Sequence, residues 1–458
     1  MKFKKSDLVS AIVRGADWLV DSAQDNDRRS PTFGAMRNGY WVGLNRWDWF
    51  EPVWHTGQAA LALLIAHRLQ QEDPHRGRVE PADSPSPFSS PAAGRGKFRR
   101  RPTGSATHIP SPLARREGRV RGVVRYGRAD SCRYLRAAIR GGEYILRKQI
   151  VDPRDPVRHG HIRGYVKPDE TTSNNSTFLE SLVGLLELHK VTGEERWLRA
   201  TLDALDWTIR NAWLEKEGLV LDNFDWNAGE HLRPNADCKR VFTPSQLRKL
   251  GVRASARPLI DDSMFYRAYK LTGEEKYLRV FRRLADRLLA DQDQWGNWIG
   301  YIPCDVFTGR FHARQAWWWG YPLLDAYREF GHKKYLHAAM RAADWYVWAQ
   351  HRDGSMAYST FTDGRANTML AVCGSATACS ALLYHELLHE FRRKKYAEPL
   401  DRAITFLLTT QHSEQFPDEN ARGAFFEAWG AKPGLGAHVY QIRDIATTFA
   451  IRALARLI

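Results

Sequence analysis

The chain has 458 residues, 43% of them hydrophobic, enough for one large core or two ordinary domains. A formal net charge of +16 and a pI near 9.7 favour an anionic partner without choosing among nucleic acid, acidic lipid and acidic sugar. No run approaches the roughly 18 uncharged apolar residues of a membrane span. The five cysteines, odd in number and without a CxxC pair, argue against a disulfide framework or zinc cluster and fit a reducing cytoplasm.

From the N-terminus, MKFKKSDLVSAIVRGADWLVDSAQ has a basic start, but Arg14 and Asp17 interrupt its apolar stretch. It reads as an amphipathic helix rather than a signal peptide. Its ending, a Gln before a Gly- and aromatic-rich loop, recurs at Gln149, Gln292, Gln350 and Gln411, with Trp213 in the equivalent place once. The last two steps are 58 and 61 residues.

Between these segments lie six more apolar ones, predicted to begin near Trp54, Asn174, Leu259, His312, Cys373 and Tyr440. Their apolar positions fall at helical spacing, and several are apolar nearly all round, as helices buried on both faces are. Turns such as TGEERWL, TGEEKYL and FGHKKYL join each to the next amphipathic segment. Gly caps the first helix of each pair, the turn is short, and the two helices must be antiparallel. Six such hairpins predict an all-α (α/α)6 toroid forming a single domain over 1–458. Loops leading into inner helices are long and rich in Trp, Gly, Asn and Asp, so a site is expected where the inner helices begin.

One inner-to-outer turn departs from the rule. Residues 71–130 are rich in Pro, Arg and Ser with little apolar periodicity, and read as a disordered or irregular insertion. They lie at the end opposite the predicted site, which argues against a catalytic role. A basic nucleic-acid-binding arm is the sharper alternative.

Asp261 and Asp262 stand at the mouth of the third inner helix. Helix capping explains such a pair, as does a general acid whose pKa burial has raised. Asp169 and Glu170 precede the second inner helix, and Asn174 and Asn175 begin it. They read either as a capped loop or as a second carboxylate with amides for sugar hydroxyls. His312, Arg314 and Trp317 open the fourth inner helix, where a guanidinium could fork a carboxylate while an indole stacks on a sugar ring. Trp54 and His55, with Glu51 and Trp49 just before them, form a further aromatic and acidic group. TDGRANT supplies Asp363 and Asn367, and the last long loop supplies Glu427 and Trp429. His438, Tyr440 and Arg443 precede the final inner helix. The last three are structural or, with Asn174, suit a lyase or epimerase in which Tyr or His removes a proton beside a neutralised carboxylate. No Walker, Rossmann, HExxH or nucleophile-elbow pattern is present, and no cofactor or metal is expected.

Three stretches in this order carry a resemblance: LIDDSMF at 259–265, ARQAWWWG at 313–320 and CGSATACSALL at 373–383. They resemble segments of the unsaturated glucuronyl and rhamnogalacturonyl hydrolases, cytoplasmic (α/α)6-barrel enzymes. These hydrate the double bond of a 4,5-unsaturated uronic acid, after which the sugar linkage falls apart. The resemblance places the catalytic Asp at Asp261. It puts Cys373 or Gly374 where the family has Asp, and Asn174 and Asn175 where it has a second catalytic Asp, leaving Asp169 or Glu170 to substitute.

The combined expectation is a glycoside hydrolase for uronic-acid oligosaccharides. Asp261 or Asp262 would protonate the substrate, and Asp169 or Glu170 would activate water. Arg314 and Arg443 would hold the sugar carboxylate, with Trp317 and Trp54 stacking on the rings. The partner is an acidic oligosaccharide, not nucleic acid or membrane. A lyase or epimerase, and a non-catalytic binding toroid, are the alternatives.

Overall fold

In a computed structural model the described residues are 3–48, 53–72, 128–164, 171–366, 372–427 and 439–458. The expectations attached to most of the 71–130 insertion, and to Trp49, Glu51, Asp169, Glu170, Asn367, Trp429 and His438, lie outside them. Helices alternate between two rings. The outer ring contains α1 (Lys5–Trp18), α3 (Arg128–Arg147), α5 (Glu195–Trp207), α9 (Glu275–Asp291), α11 (Lys333–Ala349) and α13 (Ala397–Thr410). The inner ring contains α2 (Val53–Glu72), α4 (Asn175–Thr192), α8 (Met264–Thr272), α10 (Gln315–Phe330), α12 (Gly374–His389) and α14 (Asp444–Ala455). Two short helices, α6 (Ala236–Val241) and α7 (Pro244–Leu250), sit in the long loop between α5 and α8. Inner helices pack on their inner neighbours, with the turn before α8 packing on α10 and Tyr266 of α8 donating to Glu329 of α10; α14 packs on α2 and α1, which closes the (α/α)6 toroid.

The residue patterns explain this layering. The outer helix α9 buries Tyr277, Val280, Phe281, Leu284, Ala285 and Leu288 on one stripe. The inner helix α12 buries every residue from Gly374 to Leu387 except His385, because it is covered on both sides. Where α2 crosses α4 the backbones nearly touch. A Cβ on Gly57 would lie 2.2 Å from the Ser181 carbonyl oxygen, and one on Gly184 would lie 2.2 Å from that of Gly57. Only glycine permits that approach.

The recurring Gln has a structural reason. The side-chain amides of Gln24, Gln149, Gln292, Gln350 and Gln411 each donate twice, over 2.8–3.1 Å. One acceptor is a loop glycine carbonyl (Gly34, Gly160, Gly296, Gly354, Gly423). The other is a carbonyl of the next outer helix (Ala137, Ala200, Ala338, Pro399, Ala11). In four of the five clamps an arginine three residues further along that helix donates to the same Gln: Arg140, Arg341, Arg402 and Arg14. Gly354 has φ +92°, and a Cβ there would meet the Arg402 carbonyl oxygen at 2.2 Å. The Trp213 repeat lacks the Gln but keeps the arginine, since Arg283 donates to Glu215 O at 3.0 Å and Lys216 O at 3.2 Å.

The long loops differ from a purely helical reading. Residues predicted to open inner helices instead lie in short antiparallel strands just before them. Asn174 lies in Thr172–Asn174, paired with Asn223–Asp225. His312 lies in Arg310–His312, paired with Ser359–Phe361. Tyr440 lies in Tyr440–Arg443, paired with Gly39–Val42. Leu259 also falls outside its helix: α8 begins at Met264, after a tight turn in which Asp262 and Ser263 have φ of +49° and +55°.

Candidate functional site

The N-terminal ends of the inner helices deliver charged groups to one mouth. Asp261 and Asp262 are both about 5% exposed, yet the turn sends them to different surroundings. Asp262 faces Arg452 of α14 (2.6 Å) and accepts from Gln58 Nε2 of α2 (2.6 Å). Burial opposes its charge, but Arg452, Arg267 and Gln58 more than offset this and hold its pKa below the ordinary value. Asp262 therefore locks two inner helices together. It neither caps α8, whose N-cap is Ser263, nor suits the catalytic role expected of it.

Among the described residues Asp261 has no such pairing. Burial pushes it up to about 7 against the pull of Arg257, with the Asp262 charge adding to the rise. Arg257 itself is occupied by Asp222 at 2.8 Å and Ser176 Oγ at 2.7 Å. A carboxyl group that changes charge near neutrality can give or take a proton. Nearby is Glu180, on α4 and 8% exposed, whose electrostatic neighbours are Asp261, Arg314, Asp262 and Arg257.

At the N-cap of α10, Arg314 is 4% exposed, and its guanidinium lies 5.4 Å from the ring centres of both Trp54 and Trp318. Its Nη1 reaches Ser375 Oγ at 3.5 Å, and its Nε has no partner. Among the described residues no carboxylate lies within 4 Å of it. His312 stacks on Trp318 (5.0 Å, 10°), and its Nδ1 accepts the Arg314 backbone N–H at 3.3 Å. Burial and Arg314 hold this ring well below its ordinary pKa. It is thus neutral, with its proton on Nε2.

His55 is fully buried and hydrogen-bonded through Nδ1 to Asp444. Its Nε2 accepts from Arg443 Nη2 at 3.3 Å. Burial, Arg443 and Arg314 keep it neutral. Arg443 also donates to Asn38 Oδ1 (3.1 Å) and lies 3.9 Å from Glu427. His55 and Arg443 thus form a wall of protein-to-protein contacts, which does not match the free sugar-binding roles expected of them. Glu427 accepts the Ser375 N–H at 2.8 Å, so a distant loop places a carboxylate at the start of α12.

Other expected residues are placed elsewhere. Asn174 Oδ1 accepts from Asn223 Nδ2 and Asn175 Nδ2 donates to Leu221 O, both at 2.7 Å. These amides hold the α5–α8 loop. Trp317 packs edge-on to Phe449 (4.9 Å) beneath Arg452 (5.0 Å), so the indole beside Arg314 is Trp318. Tyr440 bonds through its hydroxyl to His412 Nε2 at 2.8 Å and packs on Phe426. It joins that pair rather than Asp261 and Arg314. Sequence reasoning missed Glu180, Asp222 and Arg257, and of the three consecutive indoles at 317–319 it chose Trp317 instead of Trp318. For Glu180 there was a signal: an acid one turn into a helix that is mostly apolar.

The model of the ulvan lyase N-terminal domain matches residues 281–420. No curated protein matches the chain. Among solved structures, cellobiose 2-epimerase from Bacillus thermoamylovorans B4167 aligns with a TM-score of 0.61 at 10% identity, covering 98% of this chain and 99% of that one. A D-mannose isomerase gives 0.58 at 13%, covering all of both chains. The unsaturated glucuronyl hydrolase of Bacillus sp. GL1 gives 0.56 at 13%, covering 98% and 96%. At such identities the likeness establishes the (α/α)6 toroid.

Proposed function

We propose that the protein is a carbohydrate-active enzyme for uronic-acid oligosaccharides, and that it hydrates 4,5-unsaturated uronyl ends. One observation carries this reading: Arg314, a buried guanidinium between two indoles without a carboxylate partner among the described residues. Leaving a charge so buried is costly, and a planar carboxylate from a ligand would offset that cost through forked hydrogen bonds. Trp54 and Trp318 offer apolar faces to the ring that bears it. Asp261, titrating near neutrality on the other side, exchanges protons with that sugar. The glucuronyl hydrolase and ulvan lyase likenesses support an acidic sugar, and the protein's five unpaired cysteines fit a cytoplasmic setting.

The test is optical. Unsaturated uronyl disaccharides absorb in the ultraviolet through the conjugated double bond, and hydration abolishes that absorbance. Loss of absorbance with appearance of a free reducing sugar is the expected result. Inertness toward a panel of such disaccharides would overturn the reading.

Elimination is the second reading, favoured by the Tyr440–His412 pair. His412 Nδ1 bonds to the Ala424 carbonyl at 2.9 Å, so its Nε2 is the acceptor for the Tyr440 hydroxyl. Burial lowers this histidine to about 4, so the ring stays neutral and accepts the hydrogen bond that orients the tyrosine hydroxyl. An intact uronan distinguishes the two, because elimination creates ultraviolet absorbance where hydration removes it.

A further inference from the structure

We propose that Glu180 is the proton donor of this site, paired with Asp261 as the base that activates water. The assignment rests on the hydration reading above and gives the second carboxyl role to a residue inside α4.

The geometry of two facing segments carries it. Ser176, Glu180 and Glu187 follow one another along one side of α4. Ser176 Oγ accepts from Arg257 Nη2 at 2.7 Å, and Glu187 lies 4.0 Å from Arg267 Nη1. The segment 257–267 therefore runs alongside that side of α4, with Glu180 between the two anchors and Asp261 between Arg257 and Arg267. A third tie fixes the level. The Gln58 amide donates both to the Glu180 backbone carbonyl (2.8 Å) and to Asp262 Oδ2 (2.6 Å), so Glu180 and the Asp261–Asp262 turn lie within the span of one side-chain amide.

The two acids of α4 are treated differently. Glu187 has Arg68 at 3.2 Å and Lys190 at 2.7 Å, and these hold it ionised. Glu180 is equally buried, and among the described residues no cation lies within 4 Å of it. Burial first, then the Asp261 charge, keep its proton on well above the ordinary range. When Asp261 ionises near neutrality, Glu180 remains an acid. The pair is thus poised with one proton, on Glu180.

The reaction balances with water alone. The Glu180 O–H bond breaks, and its proton forms a C–H bond at C4 using the electron pair of the C4=C5 double bond. The cation left at C5 is shared with the ring oxygen. Water bonds to C5 through its oxygen and gives a proton to Asp261. The hemiketal opens and the aglycone leaves as an alcohol. Glu180 is then ionised and Asp261 protonated, and return of that proton to Glu180 restores the starting state.

The test is E180Q, which keeps the shape and neutrality of the protonated acid and should fold normally, as its thermal transition will show. With an unsaturated uronyl disaccharide, kcat should fall by about 100-fold or more while KM changes only a few-fold. E180D should recover part of the rate. In the wild type the rate should fall at high pH as Glu180 loses its proton, and this limb should vanish from the residual activity of E180Q. At pH 8, infrared difference spectra should show a protonated carboxyl band that E180Q lacks and D261N keeps. An active wild type whose E180Q variant retains rate and pH profile would overturn the role of Glu180 alone. A wild type inert toward the substrate would remove the reaction itself.

Discussion

The outer ring and the lumen are made from the same helical hairpins, but they use repetition in opposite ways. In the outer ring one device recurs: at five of the six junctions a Gln clamp, a loop glycine and usually an arginine join a helix to the next. In the lumen no two helix starts are alike. One delivers Trp54 and His55, another Arg314, another the Ser375 amide capped by Glu427, another Arg443 and Asp444. The repeated contacts fix where six helix ends stand, and this frees those ends to vary. Stability and chemistry should therefore be separable by mutation.

The largest effect is expected in the lumen. Asp261→Asn should lower turnover of an unsaturated uronyl disaccharide by ~100-fold to 10,000-fold, the usual worth of a general acid–base group. The same variant sharpens the comparison through stability. Asp261 is raised from 3.8 to about 7 in the folded protein, so the native state holds this proton more tightly than the unfolded chain. Its contribution to stability is complete below about pH 4 and is lost as the pH rises to about 7. Thermal melts should show D261N and wild type alike at pH 4, then D261N gaining up to about 4 kcal/mol by pH 7 and no more above it. A constant gap across this range would show that Asp261 does not titrate there.

Arg314→Met should come next, raising KM for an acidic disaccharide by ~10-fold to 100-fold, the worth of charge-assisted hydrogen bonds. Added salt should weaken binding to the wild type and leave the variant unmoved. In the outer ring, Gly354→Ala should cost roughly 2–4 kcal/mol, from a left-handed φ and a clash with the Arg402 carbonyl. Gln350→Ala should cost ~1–3 kcal/mol by leaving its polar partners unpaired. Both outer-ring variants should keep the wild-type kcat well below their melting temperatures. A large loss of kcat in either would show that the two regions are not independent.

The same division explains what could be read from the sequence. The toroid was legible because it repeats: the Gln endings, the Gly turns and the apolar inner segments recur along the chain. What the glutamine does was not legible, since its second acceptor lies on the following outer helix. Within the site, Asp261 and Arg314 were found because they sit at helix starts. Asp261 could not be told from Asp262, because two successive positive φ angles separate their surroundings. Trp318 could not be told from Trp317 without the phase of α10. Glu180 was passed over because it lies one turn inside a helix rather than at its end.

The last clamp joins Gln411 to Ala11, and with it the seam between the final and first hairpins is sealed like the others. An open stack of repeats frays from its ends and needs special capping units there. This assembly offers no such starting point for unravelling, because every hairpin has a neighbour on both sides. Melting should be all-or-none, and a chain recut so that new ends fall in a surface loop, with the old ones joined, should retain the native circle.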